Sequence, residues 1–134
     1  MLAPDGPTKP NVEFWLDTSL NRVFPATAPG STNLSLVVPR NAKIAFQACF
    51  RNNRAGALAV NCGVTGADDL KPRIRLVGLV PMPHLTPHTD AKELEGVGHL
   101  PGLVPDPLWH TSDALIGLAE SRSFWVTLHV PADA

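Results

Sequence analysis

From Phe124 to Val130 the chain places apolar side chains at every second position: Phe124, Val126, Leu128 and Val130 fall on one side, and Trp125, Thr127 and His129 on the other. A side-chain period of two marks a β-strand with one face turned to a core, and a helix cannot satisfy it. Most other apolar stretches obey the same period. The sequence therefore demands a fold in which pleated layers bury alternate positions against one another. Pro131-Ala-Asp-Ala134 then reads as a connector, which leads us to expect a module cut from a longer protein.

Upstream, residues 1–10 hold three prolines and read as a leader, with a single domain over residues 11–134. Asn11 to Asp17 alternates, with Val12, Phe14 and Leu16 opposite Glu13, Trp15 and Asp17. A turn-prone stretch from Pro25 to Asn33 leads to a short strand, Leu34 to Val38, ended by Pro39. Lys43 to Arg51 puts Ile44, Phe46, Ala48 and Phe50 on one face. After turn chemistry at Asn52 to Gly56, Leu58 to Thr65 is expected to return as the second arm of an antiparallel hairpin. Arg73 to Val80 alternates with both faces partly apolar. Pro81 to Pro107 is rich in proline and is expected to be a long irregular excursion of the kind that often carries function. Ala114 to Ala119 is read as a further extended segment.

Fourteen prolines and ten glycines among 134 residues exceed the usual share of about 12 per cent for the pair, which fits short elements joined by turns. Seven or so strands without a convincing helix predict an all-β, two-sheet antiparallel sandwich, immunoglobulin-like or jelly-roll-like, with a long Pro-rich loop region. The length suffices for a core without staples. A formal net charge of -1, with acids and bases interspersed, gives no field that would draw nucleic acid or an anionic membrane. No apolar run approaches a membrane span, and Met1-Leu-Ala-Pro-Asp-Gly-Pro7 lacks the basic flank and apolar stretch of an export signal.

Reactive side chains are dispersed. If Phe46 and Phe50 share a face with Val60 and Val64, paired residues of the expected hairpin have numbers summing to an even value, so Cys49 faces away from Cys62 and free thiols are expected. His84, His88 and Asp90 are three metal-capable groups within seven positions, but a proline-rich loop provides no rigid frame for them, and solvated loop histidines are the better reading. Asp68, Asp69, Asp90, Glu93 and Glu95 show no pairing that would set two carboxyl groups apart in acidity. No nucleophile elbow, phosphate-cradling glycine loop or zinc helix is present. The expectation is a non-enzyme that needs no cofactor. Among the aromatics, Trp15 and Trp125 alternate with apolar residues on strands and are the candidates for a sheet or domain contact, whereas Trp109 is the loop aromatic to test for sugar.

Three stretches, in order, resemble the amino-terminal β-sandwich domain of glycoside hydrolase family 123 and its uncharacterised relatives. They are Asn11-Val-Glu-Phe-Trp-Leu-Asp17, Arg40-Asn-Ala-Lys-Ile-Ala-Phe-Gln-Ala-Cys-Phe50, and Pro105-Asp-Pro-Leu108 joined to Phe124-Trp-Val-Thr-Leu-His-Val-Pro131. The resemblance implies a non-catalytic sandwich placed ahead of a (β/α)8 barrel that hydrolyses glycosides, and an extracytoplasmic setting. That family's acidic catalytic pair lies in the barrel, so no catalytic residue carries over.

Three functions compete at this point. The chain docks on a glycosidase barrel as an accessory domain through an apolar patch that includes Trp15 and Trp125. Alternatively it binds carbohydrate through Trp109 and polar residues between His84 and His110. Or it assembles with copies of itself through strand edges or terminal segments.

Overall fold

The computed structural model describes residues 9–85, 87–94 and 96–134. Residues 1–8 of the expected leader and the candidate carboxylate Glu95 lie outside the described residues. The chain folds into two antiparallel β-sheets, as the period-two pattern demands. In chain order the strands are β1 (Val12–Thr18), β2 (Ala42–Asn52), β3 (Leu58–Asn61), β4 (Arg73–Met82), β5 (Gly102–Trp109), β6 (Asp113–Ile116) and β7 (Glu120–Val130). Single 3-10 turns occur at Asp68–Leu70, Ala91–Glu93 and Val97–His99.

One sheet has the order β1-β2-β7-β4-β5, and β3 pairs with β6 in the other. The two longest strands, β2 and β7, form the spine and pair without interruption from Ala42 opposite Val130 to Asn52 opposite Glu120. Their even-numbered apolar residues meet β3 and β6. Ala48, Leu76, Phe124 and Val126 are buried with Cys62, and Phe46, Phe50, Val60, Ile74 and Ala114 pack around them. The rings of Phe50 and Phe124 meet edge to face at 5.8 Å, a geometry that aromatic quadrupoles favour.

The expected hairpin of residues 43–65 does not form. Both edges of β2 are taken, one by β1 and one by β7 along its full length, and β3 crosses to the other layer to pair with β6. Asn52 makes that crossing: its Nδ2 donates to the carbonyls of Gly56 at 2.8 Å and of Ile116 at 3.1 Å, tying the end of β2 to the second sheet. Alternation declares which face of a strand is apolar and says nothing about which strand lies beside it.

Leu34 to Val38 belongs to no sheet. Leu34, Leu36 and Val38 share an apolar cleft with Ile44, Phe46 and Leu128, so the period is used for packing without a ladder. The stretch Pro81 to Pro107 is more regular than expected, because β4 runs on to Met82 and β5 begins at Gly102. Pro105-Asp-Pro-Leu108 accordingly lies within β5. Two prolines are tolerated there because β5 is the outermost strand, where missing N–H groups forfeit little. The register slips between Val77 and Leu79, and Gly78 at the slip leaves room for its neighbours: a Cβ there would lie 2.8 Å from Pro107 Cγ and 2.9 Å from Trp109 Cε2. Trp109 is thus the last residue of an edge strand rather than a loop residue.

Cys49 and Cys62 are both free and both buried. Separate packing layers keep them apart, since Cys62 sits in the core between the sheets and Cys49 packs with Trp15 and Val23.

Candidate functional site

The face of the large sheet turned away from β3 and β6 carries odd-numbered residues of β1, β2 and β7, several of them polar yet buried. Gln47, Ser121 and Ser123 are each 2 % exposed or less, and a loop running from Ser19 to Thr32 supplies their partners. Gln47 Nε2 donates to the carbonyls of Thr18 at 2.9 Å and Asn21 at 2.6 Å, while its Oε1 accepts the Ser123 hydroxyl at 3.0 Å. Asn21 Nδ2 in turn donates to Asp17 Oδ1 at 2.7 Å. Farther along, Ser121 Oγ donates to the Thr27 carbonyl at 2.7 Å, and the Ser121 N–H donates to the Pro25 carbonyl at 2.8 Å. A loop held this way by buried side chains is a fixed part of the fold, because leaving those groups unpaired would be costly.

The same loop reaches β5, where Arg22 Nη1 donates to the Pro105 carbonyl at 2.8 Å. Between loop and sheet lies a cleft of about 370 Å³, with Ser19, Asn21, Arg22, Asp106, Leu108 and Trp125 among its walls. Arg22 and Asp106 also border a neighbouring cleft of about 470 Å³, which is lined by Phe24, Val80, Met82, Val104 and Leu100 and by His84 and Glu93. Phe24 closes that end by stacking on His99 with ring centroids 4.0 Å apart and planes 1° from parallel.

A different surface forms where β4 leaves the sheet and β5 enters it. Pro81, Met82, Pro83, Pro101, Gly102 and Leu103 line an open apolar depression, and Leu103 is 44 % exposed there.

The residues singled out from sequence are scattered over these features. Trp15 is 1 % exposed and packs inside its own domain against Val23 and Cys49, with Gly30 close to its indole. This corrects the expectation that Trp15 belongs to a surface patch: the loop after β1 covers it. Trp125 is half-buried in the cleft beside Arg22 and Asp106. Trp109 is 51 % exposed on β5, across Gly78. His84 and His88 are exposed, with His84 Nδ1 3.2 Å from the Leu85 carbonyl. Asp90 organises the turn that follows it, accepting the Lys92 N–H on Oδ1 at 3.0 Å. Among the described residues, no group of three or more His, Cys, Asp or Glu side chains is placed to hold a metal ion. Among the described residues, no helix is long and apolar enough to cross a membrane.

Burial pushes the Cys49 thiol up to about 12, with the Asp17 charge adding to it, and burial raises Cys62 as well. Neither is a nucleophile at neutral pH.

Gln47, Arg22 and Asp106 escaped the sequence reading. The signal that could have exposed them is the polar alternation of Ser121 and Ser123 against Phe124 and Val126, since polar residues on a central strand call for a polar cover. No protein-family model matches the chain, and no curated protein matches it.

Proposed function

We propose that the chain is a non-catalytic accessory β-sandwich that docks against the barrel of a glycoside hydrolase and stabilises it. The proposal joins the sequence resemblance to one structural observation, the apolar depression of Pro81, Met82, Pro83, Pro101 and Leu103 at the end of the β4–β5 pair. Exposed apolar area gathered at one end of a sheet is a cost to an isolated domain and a benefit to one that is covered, which is what marks docking surfaces. Proline supports the same role, because rigid side chains lose little freedom on being buried.

Self-assembly through strand edges is the weaker reading. Pro105 and Pro107 remove donors from the outer edge of β5, and on the other side of the sheet the Leu16 N–H already donates to the Ser31 carbonyl at 2.9 Å. The docking proposal is tested by mixing the chain with the isolated barrel domain of a family 123 glycosidase and following association by calorimetry. Association tighter than about 100 μM, weakened at least about tenfold by Leu103→Asp, is the expected result. A folded chain that shows no heat of association, or a Leu103→Asp variant that binds equally well, would overturn it.

A further inference from the structure

We infer that the cleft between the Ser19–Val23 loop and β5 is a binding site for a neutral saccharide unit, with Trp125 as its apolar platform and Asp106 as its principal hydrogen-bond acceptor. This site is separate from the β4–β5 depression and does not depend on docking. It also differs from the sugar site expected at Trp109, which lies across Gly78 on the edge strand.

The cleft is built before any ligand arrives. Its floor is fixed by Gln47, whose amide is fully engaged by Thr18, Asn21 and Ser123, and one wall is fixed by Arg22 on the Pro105 carbonyl. Prior ordering of this kind spares a ligand the entropy of organising its site. Polar atoms with unused capacity line the same space. The Asp106 carboxylate, the Ser19 hydroxyl and the Trp125 indole N–H make no hydrogen bond to another described residue. Trp125 stands in register with Gln47 on β2 and Arg75 on β4, so its backbone cannot drift.

The chemistry of the lining selects the ligand class. An indole offers an apolar surface and one donor, a carboxylate offers strong acceptors, and a hydroxyl offers both roles. A sugar ring presents C–H groups on its faces and hydroxyls around its rim, which matches that mixture. Arg22 keeps its positive charge while donating to the Pro105 carbonyl and offsets the Asp106 carboxylate, so the lining carries no net charge to draw an ionic ligand. The volume of about 370 Å³ accommodates one or two sugar rings, at the small end of ligand pockets.

The test is titration of the full chain with cellotriose, chitotriose and maltotriose, with adenosine as a flat aromatic comparator, read by calorimetry and tryptophan emission. At least one trisaccharide is expected to bind with a Kd of roughly 0.1 to 1 mM, and Asp106→Ala to weaken it about tenfold. Asp106 is exposed and unpartnered among the described residues, so this variant keeps its fold; Trp125→Phe supplies a second variant that retains a ring and should lose only part of the affinity. Trp109→Ala should bind within about twofold of the parent. The inference is overturned by no binding of any trisaccharide at about 10 mM, by adenosine binding where the sugars do not, or by Trp109→Ala weakening binding that Asp106→Ala leaves intact.

Discussion

Ser123 Oγ donates to Gln47 Oε1 at 3.0 Å, and both side chains are sealed from solvent between the large sheet and the loop that crosses it. Through its Nε2 the same amide holds the carbonyls of Thr18 and Asn21, so one side chain joins two central strands to the loop. Gln47→Leu keeps the volume but leaves the Ser123 hydroxyl and two carbonyls without their partner. It should destabilise the chain by about 2 to 4 kcal/mol in urea unfolding. Adding Ser123→Ala should restore about 1 kcal/mol, because one of the stranded groups is then gone. A loss below about 1 kcal/mol for Gln47→Leu would show that the loop is not anchored there.

Asn52 performs the equivalent task between the sheets. It is fully buried, its Nδ2 reaches the carbonyls of Gly56, Ile116 and Gly117, and its Oδ1 accepts the Arg54 N–H at 2.9 Å. Asn52→Ala should cost about 2 to 4 kcal/mol, and Asn52→Asp at least as much, since a carboxylate would face carbonyl oxygens. Equal stability of Asn52→Asp and the parent at neutral pH would contradict this arrangement.

Gly78 is the point where β4 and β5 change register. Gly78→Ala would force a methyl group against the Pro107 and Trp109 rings, at a cost of about 1 to 3 kcal/mol. Trp109→Ala in the same background should recover part of that loss, and the remainder belongs to Pro107, whose ring cannot step aside. Thermal unfolding of the two single variants and the double variant measures the coupling.

The buried Cys49 thiol makes stability fall in alkali. Its pKa is raised by burial, and secondarily by Asp17, from an ordinary 9.0 to about 12. Below pH 9 the thiol is protonated in both folded and unfolded chains and contributes no pH dependence. Between about 9 and 12 the unfolded chain releases the proton while the folded chain keeps it, so unfolding gains by up to about 1.4 kcal/mol per pH unit. The difference between parent and Cys49→Ala unfolding curves should therefore change sharply above pH 9 and be flat below it. A difference that is flat throughout would mean that Cys49 is not sealed. In the native chain at pH 8 neither cysteine should react with a disulfide reagent, and both should in guanidinium.

The strands themselves were legible because alternation is local: Phe124 to Val130, Lys43 to Arg51 and Asn11 to Asp17 announce which side chains share a face. Their neighbours were not. Partner choice depends on which strand edges remain open after the longest pair forms, and nothing near Lys43 records that its opposite number is His129. Leu34 to Val38 shows the complementary error, since the same alternation can serve a segment that packs on a sheet without joining it. Trp15 was placed on the correct side of β1, but its cover, the loop from Ser19 onward, is irregular and has no period to read. The cleft at Trp125 was hidden for that reason too, because its walls come from that loop, from β5 and from β7, which only tertiary structure brings together.

The pairing of Ala42 with Val130 and of Asn52 with Glu120 has a kinetic meaning. The spine of the protein joins its second strand to its seventh, so a chain emerging from the ribosome can pair β2 with β1 at once but must leave the other edge of β2 open until β3 to β6 and then β7 have been made. Loop closure over such a distance comes before any reward from the ladder, and this places the molecule among slow folders whose half-made forms are the ones at risk of aggregation.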